Sequence, residues 1–343
     1  MIKNFIPRPS EIGRIKIGEK GEVKTSAQGK QFMQPRKLDH FIVTTMQRDA
    51  AGRFIPDTAL MSRLTKGTNN GKLTEIPIRL IYDDIDLNFY TRFACYKGSR
   101  CWCSGDGEIA QRLTGNNKYQ EVPCPCERYE PLYNGPDKCK PIGILQCWIE
   151  GANRIGGVWR FRTTSWNSVS GILDSLLRFK AISGGPLAGI PLLLTLSPKT
   201  VTIPTTGQSM TVYIVGVDYK GSMEELRELG YKIVRRRIEH QIRMDEIENQ
   251  CRRMLVSPLA ESPEEQAEAA AEFYPEGFLA EAGHEGGNPD PFNLNEPSPP
   301  EDQQAEGEPI ETLPPEGESP EQSEVQPIPT KKGKCADQAQ ALF

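Results

Sequence analysis

Four cysteines carry the plainest chemistry in this sequence. Cys124, Cys126 and Cys139 stand in VPCPCERYEPLYNGPDKC, and Cys103 lies 21 positions before Cys124 in CWCSGDGE. Four thiolates in a tetrahedron make a closed structural zinc site. Ligands suit chain turns, where sulfurs and backbone amides can point inward. Cys103 precedes Ser-Gly-Asp-Gly, prolines flank Cys124 and Cys126, and Cys139 follows Asn-Gly-Pro-Asp-Lys, all turn signals. The spacing is not the familiar pair of C-x-x-C knuckles, so turn placement carries the assignment. Reduced, unliganded thiols are one alternative, and a catalytic thiol is another. The latter needs a base, yet the histidines are His40, His240 and His284, none of them near. A complete thiolate shell also leaves no open position for water, so the expected role of Zn²⁺ is structural. Cys101 competes with Cys103 but falls within a strand pattern. Cys95, Cys147 and Cys251 lie in apolar patterns as small hydrophobes, and Cys335 is a free thiol near the C-terminus.

Carboxylates form a second constellation. YDDID offers Asp83, Asp84 and Asp86, and SGDGE offers Asp106 and Glu108. Clustered carboxylates can hold Mg²⁺ for a hydrolase or nuclease. The simpler account is that these aspartates end strands and shape turns through side-chain bonds to the backbone. The glycine-rich SGGPLAG, residues 183–189, lacks the lysine and hydroxyl of a phosphate loop and is a connector.

The elements that must position these groups follow from charge and periodicity. The 343 residues carry a net charge of −5, unevenly spread. Residues 259–343 hold 20 acidic and 3 basic residues, a net −17, which leaves +12 on residues 1–258. That tail also holds 13 of the 28 prolines, and such a composition predicts disorder. Residues 1–38, at net +6, read as a basic arm or loosely paired strands. Residues 39–221 read as the body, and 222–258 as a basic helical segment.

Within the body, alternation predicts strands in HFIVTTMQ, EIPIRLIYDD, LNFYTRFACY, GILQCWIEG, GGVWRFRTTS, IPLLLTLSP and SMTVYIVGVDY. Glycine- and proline-rich turns between them favour antiparallel pairing. Apolar residues at 169, 172, 173, 176 and 177 predict one helix over residues 167–180. SMEE is a capping box that opens a long C-terminal helix, with Gly230 as a break or kink. The fold class expected is α+β: a mainly antiparallel β body with a four-cysteine zinc-binding insertion, one mid-chain helix, a long C-terminal helix and a disordered acidic tail. The oligomeric state stays open, since the long helix can pair.

Partners follow from the cations. Arg14, Lys16, Lys20, Arg235, Arg236 and Arg237 are candidate contacts to nucleic acid or to an acidic partner. Tyr90, Phe93, Trp102, Trp159 and Trp166 offer rings for base stacking, although core packing suits most of them better. No apolar run approaches the roughly 20 residues of a membrane span. The start MIKNFIPRPSEIG has no apolar signal core, so a cytoplasmic, reducing setting is expected.

Several motifs in this order, GRIKIGEKG, YDDID, CSGDGEIAQRL, CPCE and GGVWRFRTTSWNSV, resemble one family. It groups phage and integrative-element proteins with the recombination directionality factor of large serine integrases. The resemblance spans about residues 12–220, densest at Cys103–Glu108 and Cys124–Glu127. It implies a metal-binding accessory protein without catalysis that binds the integrase and turns it toward excision. A general DNA- or RNA-binding protein of a phage or mobile element is the alternative, ahead of a metal-dependent hydrolase. The acidic tail and the basic terminal helix lie outside the resemblance.

Overall fold

The computed structural model describes residues 9–25, 31–50, 52–66, 71–116, 118–130, 133, 135, 137–202, 209–252 and 262–274. Twelve strands are described: β1 (Glu11–Thr25), β2 (Gln31–Arg48), β3 (Phe54–Pro56), β4 (Glu75–Arg79), β5 (Phe89–Lys97), β6 (Arg100–Gly105), β7 (Ile109–Leu113), β8 (Tyr119–Pro123), β9 (Lys140–Ile149), β10 (Val158–Thr163), β11 (Pro191–Thr202) and β12 (Ser209–Asp218). The helices described are α1 (Thr58–Leu64), α2 (Ile85–Asn88), α3 (Trp166–Ser183), α4 (Met223–Glu239), α5 (Met244–Cys251) and α6 (Pro263–Phe273). The α+β class and mainly antiparallel sheet agree with the pattern of alternation.

Nine strands follow the order β3-β2-β1-β10-β9-β5-β6-β7-β8. A branch of β12, β11 and β4 joins where Ile78 of β4 meets Ile149 at the end of β9. Among the named strands, only β1 and β10 pair in parallel, with Ile15 opposite Phe161. Glu11–Thr25 is therefore a paired strand, the second of the two readings of this segment, and not an extended arm. β1 is inserted between β2 and β10, and Ile15 is fully buried. Its basic composition misled because Arg14 is neutralised from elsewhere in the chain, as shown below.

Strand alternation works as expected. Ile76 and Ile78 of β4, with Leu80 just after it, are buried in the core, as are Leu192, Leu194 and Leu196 of β11. Each such burial is worth roughly 1.5–3 kcal/mol. Helix α3 adds Val169, Ile172 and Leu176 to the same core. Leu177 lies one step off that face and is 53% exposed. Gly184, at φ +77°, ends α3 in the left-handed conformation that glycine adopts most readily. Ser168 Oγ accepts the Val215 amide at 3.1 Å and ties α3 to β12.

The long C-terminal helix is two helices. α4 opens on the expected capping box of Ser222 and Glu225. Gly230 does not break it. Its bare Cα faces the end of α3, where a Cβ would fall 2.0 Å from the Ser183 carbonyl oxygen, so glycine lets the two helices touch. The break comes at residues 240–243. Gln241 adopts φ +54°, its amide bonds Ile238 O, and the Ile242 amide reaches back to Arg237 O. That is a Schellman closure with glutamine in the position glycine usually takes.

These layers meet at Asp83. One of its carboxylate oxygens accepts the amides of Leu187 and Ala188 at 2.8 and 2.9 Å. Arg237 of α4 forks onto both oxygens. The Asp83 carbonyl accepts Lys180 Nζ from α3 at 2.9 Å. Buried Glu248 of α5 accepts the Asp83 and Asp84 amides at 2.6 and 3.1 Å. Asn88, fully buried, closes the turn by bonding Ile81, Tyr82 and Asp84 backbone groups. One carboxylate thus joins the end of β4 to α4 and to the connector after α3.

Burial pushes the Asp83 carboxyl up, but Arg237 and the two amides more than reverse this and hold it below the ordinary value of 3.8. A carboxylate with a lowered folded pKa stabilises the fold above its unfolded pKa, and this is lost as pH falls through the folded value. Asp83→Asn should therefore lower stability by about 3 kcal/mol near neutral pH, the scale of a broken buried pair. The gap to the parent should close in acid. Denaturant unfolding across pH measures both, and an asparagine variant as stable as the parent at neutral pH would contradict the assignment.

Candidate functional site

Strands β5 to β8 and the segment before β9 build the cysteine lobe. Cys95 of β5 sits opposite Cys103 of β6, and both pack with Ala110, Trp102, Val122, Cys124 and Cys139. Cys124 follows β8, with a cis peptide to Pro125, and Cys126 caps a short 3₁₀ turn over Glu127–Tyr129. Gly105 makes room for Cys124, since a Cβ there would lie 2.8 Å from its Sγ.

The four predicted thiols share one electrostatic neighbourhood. Burial, then the presence of Cys103, Cys124 and Cys126, pushes the Cys139 thiol up to about 12. Burial raises Cys124 as well, a Gly107 backbone bond opposes this, and Cys103, Cys126 and Asp106 add to it. Without a cation, Cys124 and Cys139 are thus neutral at pH 7, which suits neither a nucleophile nor a base. As placed, no three Cys, His, Asp or Glu side chains among the described residues stand close enough to hold a metal ion. The donor set still fits zinc in kind: Cys103, Cys124 and Cys139 pack in one cluster, and a divalent cation would favour the thiolate forms that burial, and then the neighbouring thiols, disfavour at Cys124 and Cys139.

A register shift in the β5–β6 ladder between Cys95 and Tyr96 puts Cys101 and Cys103 in different surroundings. Cys101 packs with Ala94, Tyr96 and Ile142, while Cys103 packs with Cys95, Cys124 and Cys139. The sequence did not single out the scaffold around the lobe. Asp137 accepts Arg128 Nε at 3.0 Å and the Tyr133 hydroxyl, with Lys97 3.6 Å away. Its carbonyl accepts Cys95 Sγ at 3.0 Å. Lys97, Arg128 and Arg112 all lie over the Trp102 ring, at 3.8, 4.5 and 4.9 Å from its centroid. Spacing signals cannot show such stacking.

The carboxylates are occupied by structure. Asp83 is the hub described above. Asp84 caps α2 by accepting the Asp86 and Leu87 amides, and it pairs with Arg252 at 2.6 Å. Asp106 turns β6 into β7 by accepting the Glu108 and Ile109 amides at 2.8 and 2.9 Å. Asp84 and Asp106 agree with the turn reading, whereas the Asp83 carboxylate binds partners distant in the chain instead of shaping its own turn. The Glu108 side chain is exposed.

The predicted cations divide. Arg235 is exposed and pairs with Glu239 at 2.9 Å, and Arg236 is exposed. Arg237 is committed to Asp83, so it is not a surface cation. The Lys20 side chain lies outside the described residues. Arg14 is buried between Glu11 and Glu268, over the Phe54 ring, and Lys16 stands 3.7 Å from Glu272. Of the candidate stacking rings, Trp159 is core, Phe93 packs edge-on against Tyr129, and Trp166 is exposed.

Glu268 and Glu272 belong to α6, inside the stretch expected to be disordered. Residues 262–274 are folded instead. Ser262 and Glu265 form a capping box with Pro263 in the first turn. Ala269, Ala270 and Tyr274 bury against Ala94, Tyr96, Ile142 and Ile144. The Tyr274 hydroxyl donates to Ala94 O at 2.7 Å, and Gln266 Oε1 accepts the Cys101 amide at 3.0 Å. Composition misled because the helix's negative charge is neutralised by arginines of the body. Glu268 pairs with Arg14 and Arg48, and Glu265 with Arg160. Burial raises the Glu265 carboxyl, yet the Ser262 amide and Arg160 hold it below its ordinary value. Residues 275–343 lie outside the described residues.

Tyr231, Val234, Ile238, Ile242 and Ile247 form a largely exposed apolar stripe along α4 and α5. No helix among the described residues is long and apolar enough to cross a membrane. No curated protein and no solved structure is similar enough to count as a match. One family does match, described as Gp3-like, recombination directionality factor-like, and it covers residues 12–220. That span runs from β1 to just past β12 and takes in the cysteine lobe and the Asp83 turn. This chain is therefore a member of the Gp3-like, recombination directionality factor-like family.

Proposed function

We propose that this protein is a non-catalytic accessory factor that binds a large serine recombinase of a phage or mobile element and shifts it toward excision. The observation that carries this is the family match across the whole sheet-built body. Membership suggests a recombination accessory role; the partner and the direction are our reading. A factor of this kind acts by binding one synaptic arrangement better than another. Moving an equilibrium from about 1:99 to 99:1 takes roughly 5.5 kcal/mol of differential binding. The exposed stripe of α4 and α5 supplies apolar area for such a contact, on a helix fixed to the body through Arg237 and Asp83.

Zinc held by Cys103, Cys124, Cys126 and Cys139 is part of this proposal. When bound, the ion would cross-link β6 to the segment before β9 and fix the lobe's outer surface. Site energies of roughly 10–16 kcal/mol exceed ordinary domain stability, so loss of metal should be felt locally. The protein would act in the cytoplasm, where thiols stay reduced.

Two measurements test these points. In vitro recombination with the recombinase of the same element should proceed toward excision when this protein is added. No effect on direction, with binding also absent, would remove the accessory role. Metal analysis of protein purified under reducing conditions should find about one zinc per chain, four thiolates making one site. Cys124→Ser should lower that content and loosen residues 95–150 to proteolysis. Protein free of zinc would end the metal assignment while leaving the accessory role untouched.

A further inference from the structure

We propose that the sheet face beneath α6 is a masked binding surface for the phosphate backbone of a nucleic acid, with α6 as its internal stand-in. Arg14 and Lys16 on β1, Arg48 on β2, and Arg160 and Arg162 on β10 come from adjacent strands. Arg14 and Arg160 are direct partners across the parallel ladder. Each central carboxylate of α6 sits between two guanidiniums. Glu268 lies between Arg14 and Arg48, and Glu265 between Arg160 and Arg162. Arg14 and Arg48 take separate oxygens of Glu268, and Arg160 and Arg162 face one oxygen of Glu265; guanidiniums converging on one anionic group are the arrangement that holds a phosphate.

The helix does not satisfy the face that it covers. The Arg162 side chain is 5% exposed, and Glu265 is 4.0 Å from its Nη2. None of its three guanidinium nitrogens has a hydrogen-bond partner among the described residues. A buried donor left in this state is costly, so the face has more donor capacity than α6 uses. A cleft of about 390 Å³ runs along the same junction, lined by Arg14, Arg160, Glu265 and Glu268 among others. With α6 lifted, the carboxylate still paired with these five cations among the described residues would be Glu11, beside Arg14 and Arg160. This excess favours a polyanion over a second helix. The division of charge agrees: +12 on residues 1–258 against −17 on 259–343, the segment that supplies α6.

The test uses the full chain and a short mixed-sequence DNA duplex, without recombinase, so its outcome is independent of the accessory role. Ala270, on the underside of α6, is fully buried. Ala270→Glu should lift the helix while making the tail more acidic, so a gain in affinity cannot come from weaker bulk repulsion. Fluorescence anisotropy at low salt should show about tenfold or tighter binding than the parent, falling steeply with salt. Glu265→Gln combined with Glu268→Gln keeps the helix length and should act in the same direction. Adding Arg160→Gln and Arg162→Gln should abolish the gain. If neither unmasking variant binds duplex more tightly, or the gain survives loss of both arginines, the proposal fails. It also fails if a peptide of residues 262–274 binds the Ala270→Glu protein and duplex does not displace it. The face would then be a seat for protein helices.

Discussion

A buried carboxylate must be fully paired, and Asp83 meets that demand by drawing in groups from distant parts of the chain. Its partners are an arginine on α4 and two amides after α3, and Glu248 of α5 takes its own amide. None of these elements touches it by sequence proximity. α4 places Leu226 in the core and packs Leu229 and Ile233 against it, while Tyr231, Val234 and Ile238 stay exposed. Its position rests on this apolar edge, on the polar geometry at the Asp83 turn and on the close approach at Gly230. A helix held in this way can keep its apolar face outward without folding back onto the core.

The parts legible in the sequence were those with a local cause. Alternation in EIPIRLIYDD gave the core face of β4, because strand side chains repeat every two residues. Gly184 ended α3, and the capping box opened α4, each through a bond within a few residues. Asp84 and Asp106 were turn-formers for the same reason. What stayed hidden depends on partners far along the chain or on unmarked backbone. The end of α4 uses Gln241 where glycine is the usual sign. Helix α6 looked unfoldable because composition counts its glutamates without the arginines 105 to 254 positions away that pair with them. Arg14 looked like a surface cation for the mirror-image reason. Of the four predicted thiols, Cys103, Cys124 and Cys139 pack together, and their joining by Cys95, the Asp137 scaffold and the cations over Trp102 had no signal in the spacing.

Strand β6 is a partition between two environments. Cys101 points to the side covered by α6, and Cys103 to the thiol cluster, a separation set by the register shift against β5. The backbone amide of Cys101 is itself bonded by Gln266 of α6. Any adjustment of β6 that draws Cys103 toward Cys124 is thus felt at the seat of α6, and the reverse holds too. The lobe and the covered face share a wall even though their chemistries differ.

The parallel ladder between β1 and β10 sets an order of events during synthesis. Ile15 finds its partner Phe161 only after 146 further residues have been made. The hairpin of β1 and β2 can close early, but one edge of β1 stays unpaired until β10 emerges from the ribosome. Unpaired edges recruit other chains, and contacts of such long range slow folding. The charged residues along that strand, Arg14 and Lys16 among them, then have a use before the native state exists. Like charge on a waiting edge discourages two nascent chains from joining there.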